Sequence, residues 1–516
     1  MNIALKGHFL REGLRLNGHH VHNLVIRKGE TLADALRAAP APVDLVIWEL
    51  FGAATDIQAL GPCEQPMAAF CIDTPLNAFW LRPCVQNFDA VFVDQPQCVA
   101  DFAGLAPHVS WLPLPAHTSW FQPPRPKRYD ITFIGTTNAE RLKRNNLLRL
   151  LRSHFELNVL TGLTIAESQE VFAASKIVLN ENFFPGLTLR VLQGLAAGAA
   201  VFTERSPFGH DFGLTDFQDL VFYTPDSLLE RMTEVLANYG RYAGLGAHGQ
   251  ETCRALYGSA PVAAELLARI PTGRRWDGPA HAEEARWHRI TSELLYAQRF
   301  GGDFSRTVQA LQEVARSSPG KAACAELLLG DVEARVKKRR DARAHYRRAL
   351  ELDPASPARL KLALLDIRQN ELAAARAGLL AYARDTPLGV AKVPEACLAG
   401  APTAQGLLTL AGELAFAAGR RWDMGFNKDF TDPVPDTAFE LARMSWELAP
   451  TPGALDLMQR CLAPQHMQGE LLPLLLSALK KGLLPDVQIL ETARTAYEYY
   501  DHETAATIMA ALRKTK

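Results

Sequence analysis

The chain has 516 residues, enough for about two to four domains, each with a core of its own. Its 55 basic and 56 acidic residues leave a net charge of −1, so no global field draws it to nucleic acid or to an anionic membrane. Eight cysteines, at 63, 71, 84, 98, 253, 324, 397 and 461, form no Cys-x-x-Cys pair and no His/Cys cluster, which argues against a zinc site or a disulfide framework and fits a reducing cytoplasm.

The opening residues, MNIALKGHFLREGLRLNGHHVHNLV, lack the apolar centre of a signal peptide, and no apolar run is long enough to span a bilayer. Residues 1–122 then alternate short apolar runs with helical patterns, the mark of a parallel α/β sheet. Strands are predicted at Asn2–Leu5, His22–Ile26, Asp44–Trp48, Met67–Ile72, Ala90–Val93 and Val109–Leu112, with amphipathic stretches such as Thr31–Ala39 and Gln97–Leu105 between them. Pro113–Pro126 is too rich in proline for either element and reads as an interdomain linker. A second α/β unit follows. Its strands are expected at Asp130–Ile134, Phe155–Leu160, Ile177–Asn180, Ala200–Thr203 and Leu220–Tyr223, with helices near Arg141–Ser153, Ile165–Ala174, Leu187–Ala197 and Ser227–Asn238.

The most informative stretch is Asn180–Thr203, NENFFPGLTLRVLQGLAAGAAVFT, which reads as strand, Pro185-Gly186 turn, helix and second strand, with Gly198 ending the helix. A helix beginning just after Gly186 would present backbone amides and the positive end of its dipole at the carboxyl edge of a sheet, which suits a phosphate or diphosphate. Gly186, Arg190 and Gln193 would share one helix face while Leu189, Val191, Leu192 and Leu195 pack the others. The bland alternatives are a solvated Arg190, an exposed Gln193 and plain turn glycines at Gly186 and Gly198.

This segment resembles the donor-binding motif of GT-B glycosyltransferases, where a strand leads to Glu-Gly-Phe-Gly-Leu and later to a second Glu that holds the nucleotide ribose. Pro185 stands at the first Glu and Gln193 at the second. The wording from Ser175-Lys-Ile-Val-Leu-Asn180 through Pro-Gly-Leu-Thr-Leu-Arg-Val-Leu-Gln193 is most similar to the CgeB-like (spore maturation protein-like) group, in which an Asn-Leu-Arg run replaces the first Glu. That group usually keeps the second Glu. Gln193 is therefore a departure, since an amide still hydrogen-bonds a hydroxyl but lacks the carboxylate's charge.

The resemblance covers roughly the first half of the chain. It implies two Rossmann-like domains, 1–122 on the acceptor side and 127–270 on the donor side, with a nucleotide-sugar as donor substrate, no further cofactor and no metal. It assigns donor contacts to Asn180, Gly186, Leu187, Arg190 and Gln193, and also to Gly135, Thr136, Thr137 and Arg141, where the Asp130–Ile134 strand ends and Lys143 adds a second cation. The alternative there is an ordinary strand-to-helix turn with Thr137 as N-cap. His210 lies where this fold contacts the donor sugar, or is a loop residue. For the catalytic base there are two candidates, both at expected carboxyl edges: His8, after Gly7, and Asp73, in Cys-Ile-Asp-Thr-Pro-Leu-Asn. Asp73 reads also as a complement to the dipole of a helix capped by Thr74 with Pro75 in its first turn. His19, His20 and His22 read as turn and strand-edge residues.

After Pro271 only helical patterns remain. Pro319, Pro354 and Pro387 recur at 35 and 33 residues, the period of tetratricopeptide repeats, and Leu329-Gly330, Tyr346, Ala349 and Asp353-Pro354 fall near the expected places. The fold class is thus α/β followed by all-α, with a tetratricopeptide-type α-solenoid over 280–516 whose groove would take a peptide or protein. Lys337–Arg340 reads as a solvated turn, and the insertion Gly419–Pro435, with Trp422 and Phe426, as a ligand loop or a cap of the solenoid. The functional expectation is a cytoplasmic glycosyltransferase acting on an acceptor, a protein recruited by the repeats. The alternatives are a catalytically silent platform for the scaffold and a nucleotide-sugar epimerase.

Overall fold

Short strands that are apolar on both faces and separated by helices pack as parallel sheets covered on two sides. In a computed structural model, which describes residues 1–27, 30–52, 57, 60–61, 63–139, 141–271, 279–300, 305–336, 339–385, 401–421 and 434–514, they form two such sheets. The first contains β1 (Asn2–Lys6), β2 (His20–Asn23), β3 (Leu45–Leu50), β4 (Met67–Cys71), β5 (Ala90–Val93) and β6 (His108–Trp111), in the order β2-β1-β3-β4-β5-β6. The second contains β7 (Tyr129–Ile134), β8 (Leu157–Leu160), β9 (Ser175–Asn180), β10 (Ala200–Glu204) and β11 (Val221–Tyr223), in the order β11-β10-β9-β7-β8. Every pairing is parallel. In each sheet the strand order reverses next to the first strand, at β1/β3 and at β7/β9, and such a reversal opens a crevice at the carboxyl ends.

The helices of the first unit are α1 (Arg11–Leu16), α2 (Leu32–Arg37), α3 (Thr74–Val85) and α4 (Val99–Phe102). Those of the second are α5 (Leu142–Arg152), α6 (Ile165–Ala173), α7 (Leu189–Ala196), α8 (Leu228–Ala237), α9 (Tyr239–Tyr242) and α10 (Leu245–Tyr257). All predicted strands are present; Ala90–Val93 keeps its expected bounds and the others shift at one or both ends, the second running His20–Asn23 rather than His22–Ile26. The helix expected over Gln97–Leu105 is instead a 3-10 turn, Pro96–Cys98, and the single turn α4, beyond which Gly104 turns left-handed at φ 79°. Gly194 lets α7 lie close on its sheet, since a Cβ there would come within 2.8 Å of Val201 and 3.0 Å of Val178.

The two units share a core. The proline-rich segment carries only a 3-10 turn, Thr118–Trp120, but Leu114, Ala116 and Trp120 are buried in one apolar cluster with residues of both sheets. Next in the chain, α11 (Ser259–Arg269) crosses back onto α1. Ser259 Oγ donates to Glu12 at 2.6 Å, and Asn17 Nδ2 to the Ala260 carbonyl at 2.8 Å.

The remainder is helical, and it touches both α/β units. Helix α12 (Pro279–Phe300) lies against α3, with Tyr296 edge-on to the buried Trp80 at 5.1 Å. Successive helices then stack on their sequence neighbours. The helices Pro319–Arg335 and Arg339–Leu352 meet where a Cβ on Gly330 would come within 2.4 Å of the Tyr346 ring. The final pair, Asp486–Glu498 and His502–Lys514, returns to the second unit: Asn146 Nδ2 donates to the Tyr499 carbonyl at 3.0 Å and Tyr500 Oη to Glu204 at 3.0 Å. Phe184, from the loop after β9, is buried in the core of the helical region. Lys337, Lys338, Pro387, Cys397 and residues 422–433, with Trp422 and Phe426, lie outside the described residues. Among the described residues no helix is long and apolar enough to cross a membrane.

Candidate active site

Arg190, in the first turn of α7, lies across the β7/β9 crevice. Its Nε donates to the Ile134 carbonyl at 2.8 Å, its Nη1 to Asn180 Oδ1 at 2.8 Å, and its guanidinium sits 4.4 Å over the Phe133 ring. This explains Gly135: a Cβ there would come within 2.6 Å of Arg190 Nη2. Asn180 is fully buried, and its amide is spent within the chain. Its Oδ1 accepts from Thr188 and Arg190, while its Nδ2 donates to Asn182 and Thr203. It acts on any ligand through Arg190.

Other charges gather at the same edge. Arg144 Nε donates to Glu181 at 2.7 Å and its Nη1 to the Thr136 carbonyl at 2.8 Å, the Arg144–Glu181 pair being almost wholly buried. Lys143 pairs with Glu204 at 2.7 Å, and Arg141 lies 3.7 Å over the Phe183 ring. Burial, then the neighbouring guanidinium of Arg144, pulls Arg190 down to about 10, which leaves it charged at neutral pH. Arg141, Lys143, Arg144 and Arg190 thus gather at this edge with the carboxylates of Glu181 and Glu204 between them, while Glu498 acts on Lys143 and Asp73 on Arg141. Thr188, at the N-cap of α7, makes no cap bond because its hydroxyl serves Asn180. The first amides of the helix therefore have no side-chain cap at this cationic edge.

Several expected placements change. The helix starts at Leu189, not just after Gly186, so Gly186 shares no helix face with Arg190 and Gln193. The Pro185-Gly186 turn is drawn toward the first sheet, where a Cβ on Gly186 would come within 2.1 Å of Gln95 Oε1. Gln95 also takes both backbone groups of Leu187, and Gln97 Nε2 donates to the Pro185 carbonyl at 2.6 Å. Thr137 is no N-cap, since that position of α5 falls on Arg141. Thr136 and Thr137 are exposed on the loop above β7. Gln193 is half-buried, and its side-chain amide has no hydrogen-bond partner among the described residues. His210 leans on Phe212 at 6.1 Å, on the loop that faces Trp111, and makes no contact with the arginine cluster among the described residues.

In the first sheet the equivalent crevice is filled by the chain itself. Glu49, 6% exposed, accepts from the backbone N–H groups of His8, Phe9 and Leu10 at 2.6, 2.9 and 2.8 Å. Gly7, at φ 147°, permits this approach, since a Cβ would come within 2.2 Å of Glu49 Oε2. His8 is exposed above this loop, its ring 4.3 Å from that of Phe9. Burial raises the Glu49 carboxyl while the three amides draw it back down.

Asp73 is not the dipole complement of a Thr74-capped helix. It occupies the N-cap position of α3 itself, left-handed at φ 52°, with no cap bond from its side chain, and Thr74 is buried with its hydroxyl on the Cys71 carbonyl. The backbone amides of Asp73 and Thr74 go to Asp94 instead. Burial first, then the Asp94 carboxylate, pushes the Asp73 carboxyl up to about 7 against the pull of Arg141. Asp73 thus reaches the cationic edge through Arg141, as Gly135 and Asn180 do through Arg190.

Arg144, Glu181, Gln95 and Asp94 escaped the sequence reading. Arg144 stands in the same Arg-Leu-Lys-Arg run as Arg141, and Glu181 directly follows Asn180; each carried a local signal. Asp94 and Gln95 showed only their place after β5.

Residues 131–268, from β7 into α11, match the glycosyl transferase-like family. No curated protein matches the chain. Among solved structures, a sucrose-phosphate synthase from Thermosynechococcus elongatus is similar at 13% identity and a TM-score of 0.39, over 52% of this chain and 98% of its own. HepE from Anabaena, in complex with UDP and glucose, is similar at 9% identity and a TM-score of 0.37, over 52% and 98%. The pneumococcal O-GlcNAc transferase GtfA, in complex with UDP and GlcNAc, is similar at 10% identity and a TM-score of 0.31, over 44% and 56%.

Proposed function

We propose that the chain is a GT-B glycosyltransferase of the CgeB-like type that moves a sugar from a nucleoside diphosphate to an acceptor hydroxyl. The observation that carries this is Arg190, fixed across the β7/β9 crevice with Arg141 and Arg144 beside it, inside the span that matches a glycosyl transferase-like family. The arginines, next to the start of α7 that no side chain caps, would meet the negative charges of a diphosphate bridge. Gln193 would take the ribose hydroxyls with its unpartnered amide.

Asp73 is the base this reading favours. Near neutral pH its carboxyl is divided between both forms, as a general base requires. The acceptor hydroxyl gives its proton to Asp73 and its oxygen bonds to the anomeric carbon. The bond from that carbon to the diphosphate breaks, and its electron pair leaves with the diphosphate under Arg190. Glu49 holds the His8 loop and denies the first sheet an equivalent anion site.

The acceptor we infer is a protein held by the helical region, which we read as a tetratricopeptide array because of its period and the Gly330–Tyr346 contact. A silent platform is the second reading. It is favoured by Pro185, whose carbonyl is tied to Gln97 where the family motif has a carboxylate. A panel of UDP-, GDP-, ADP- and dTDP-sugars decides between them: the enzyme releases nucleoside diphosphate from one donor and is stabilised by it, whereas a platform releases none.

A further inference from the structure

An aspartate at a helix N-cap ordinarily sits in the extended region and turns its carboxylate onto an amide two or three residues on. Asp73 does neither. It is left-handed, at φ 52° and ψ 43°, and it makes no cap bond. Asp94, 2% exposed at the end of β5, reaches into that place: Oδ2 accepts from the Asp73 N–H at 2.7 Å and Oδ1 from the Thr74 N–H at 3.1 Å. A residue with a Cβ persists at positive φ only where its surroundings hold it there.

We infer that Asp94 is a positioning residue, which caps α3 in place of Asp73, holds Asp73 left-handed and so commits the Asp73 carboxyl to the cleft. The role of Asp73 as a base rests on the sugar-transfer reading above; the positioning itself does not. The charged groups facing Asp73 are Asp94, from β5, and Arg141, from the start of α5. Asp94 in turn faces Thr74, Gln95 and the thiols of Cys71 and Cys98. Its carboxylate adds to burial in raising Asp73, so one residue both aims the base and tunes it.

The sign of the pH dependence follows. Asp73 is protonated more readily in the folded than in the unfolded chain, so its contribution to stability is complete below the ordinary carboxylate range and is lost as pH rises through about 7. Full-length wild type, Asp73→Asn and Asp94→Asn are unfolded in urea at intervals from pH 4 to pH 8.5. The wild type should lose stability as pH rises toward 7, Asp73→Asn should lose less because only the raised carboxyls of Glu49 and Asp94 remain, and in Asp94→Asn the part carried by Asp73 should move to lower pH. With a turned-over donor, the acid limb of transfer should shift down in Asp94→Asn and kcat fall about tenfold with the donor KM unchanged. Identical stability slopes and acid limbs in wild type and Asp94→Asn would overturn the inference.

A second comparison needs neither a donor nor a soluble Asp94→Asn chain over the whole pH range. At pH 7, Asp73→Gly should be more stable than Asp73→Ala, because only glycine accepts the left-handed backbone without strain. In the Asp94→Ala background that difference should vanish as residue 73 relaxes, and its persistence would show that Asp94 does not impose the conformation. If no donor is turned over while the slopes behave as stated, the sugar-transfer reading fails and the positioning stands.

Discussion

Gln95 grips the backbone of Leu187 from both sides. Its Oε1 accepts from the Leu187 N–H at 3.0 Å and its Nε2 donates to the Leu187 carbonyl at 2.9 Å, with the glutamine side chain buried. One residue from the first sheet thus supplies the hydrogen bonds a neighbouring strand would give, to the turn that leads into α7. Helix α7 is thus placed from the first unit, and the two units are latched at the turn that precedes it.

Breaking that latch should be expensive. Gln95→Leu leaves both backbone groups of Leu187 buried and unpaired, so the chain should lose about 1–3 kcal/mol in urea unfolding. Gly186→Ala should act similarly by driving its methyl into Gln95 Oε1. A loss within about 0.5 kcal/mol, as at ordinary surface positions, would show that the turn is not held there.

A nucleoside diphosphate should raise the melting temperature of the wild type, and Arg141→Ala should abolish most of the rise while leaving the apo protein folded. Arg190→Lys should also lose it, because a single ammonium cannot hold the Ile134 carbonyl and Asn180 in the fixed fork of a guanidinium. An unchanged thermal shift in both variants would place the anion elsewhere.

Gln193→Glu should keep or tighten nucleotide binding in a working enzyme, since a carboxylate accepts hydroxyl hydrogen bonds more strongly than an amide. Gln193→Leu should weaken it by about 1–3 kcal/mol for the unpaired ribose hydroxyls. Equal affinity of all three proteins in calorimetry, or no binding by any, would support the platform reading.

The sequence divides the chain into an α/β half and a helical region expected to recruit the acceptor. The structure gives the helical region a second role. Without it Phe184 loses its buried site, Trp80 its partner Tyr296, and Glu204 the Tyr500 hydroxyl. Residues 1–271 should therefore melt well below the full chain and bind nucleotide more weakly. A fragment as stable as the whole protein would reduce these contacts to accessories.

Tyr500→Phe is a milder form of the same test. It removes one hydrogen bond to Glu204 while keeping the ring in the core of the second unit, and should cost about 0.5–1.5 kcal/mol in urea unfolding. No measurable loss would show that Lys143 alone satisfies Glu204.

The sequence by itself determined what is periodic or contiguous. Alternating apolar runs gave the strands of both sheets, the Pro185-Gly186 break and the apolar spacing behind it gave α7, and proline recurrence marked the helical region. Arg190 and Gly135 were legible because their strands and helices were. The helix start slipped from Gly186 to Leu189 because a side chain from the other sheet captured the turn, which no local pattern announces. The relationships that place the site join residues far apart in sequence: Asp94 with Asp73 at a separation of 21, Arg144 with Glu181 at 37, Gln95 with Leu187 at 92 and Tyr500 with Glu204 at 296. Buried polar groups must find partners, but which partner is fixed only when the two sheets and the helical region have packed, so tertiary structure alone decided which carboxylate caps α3.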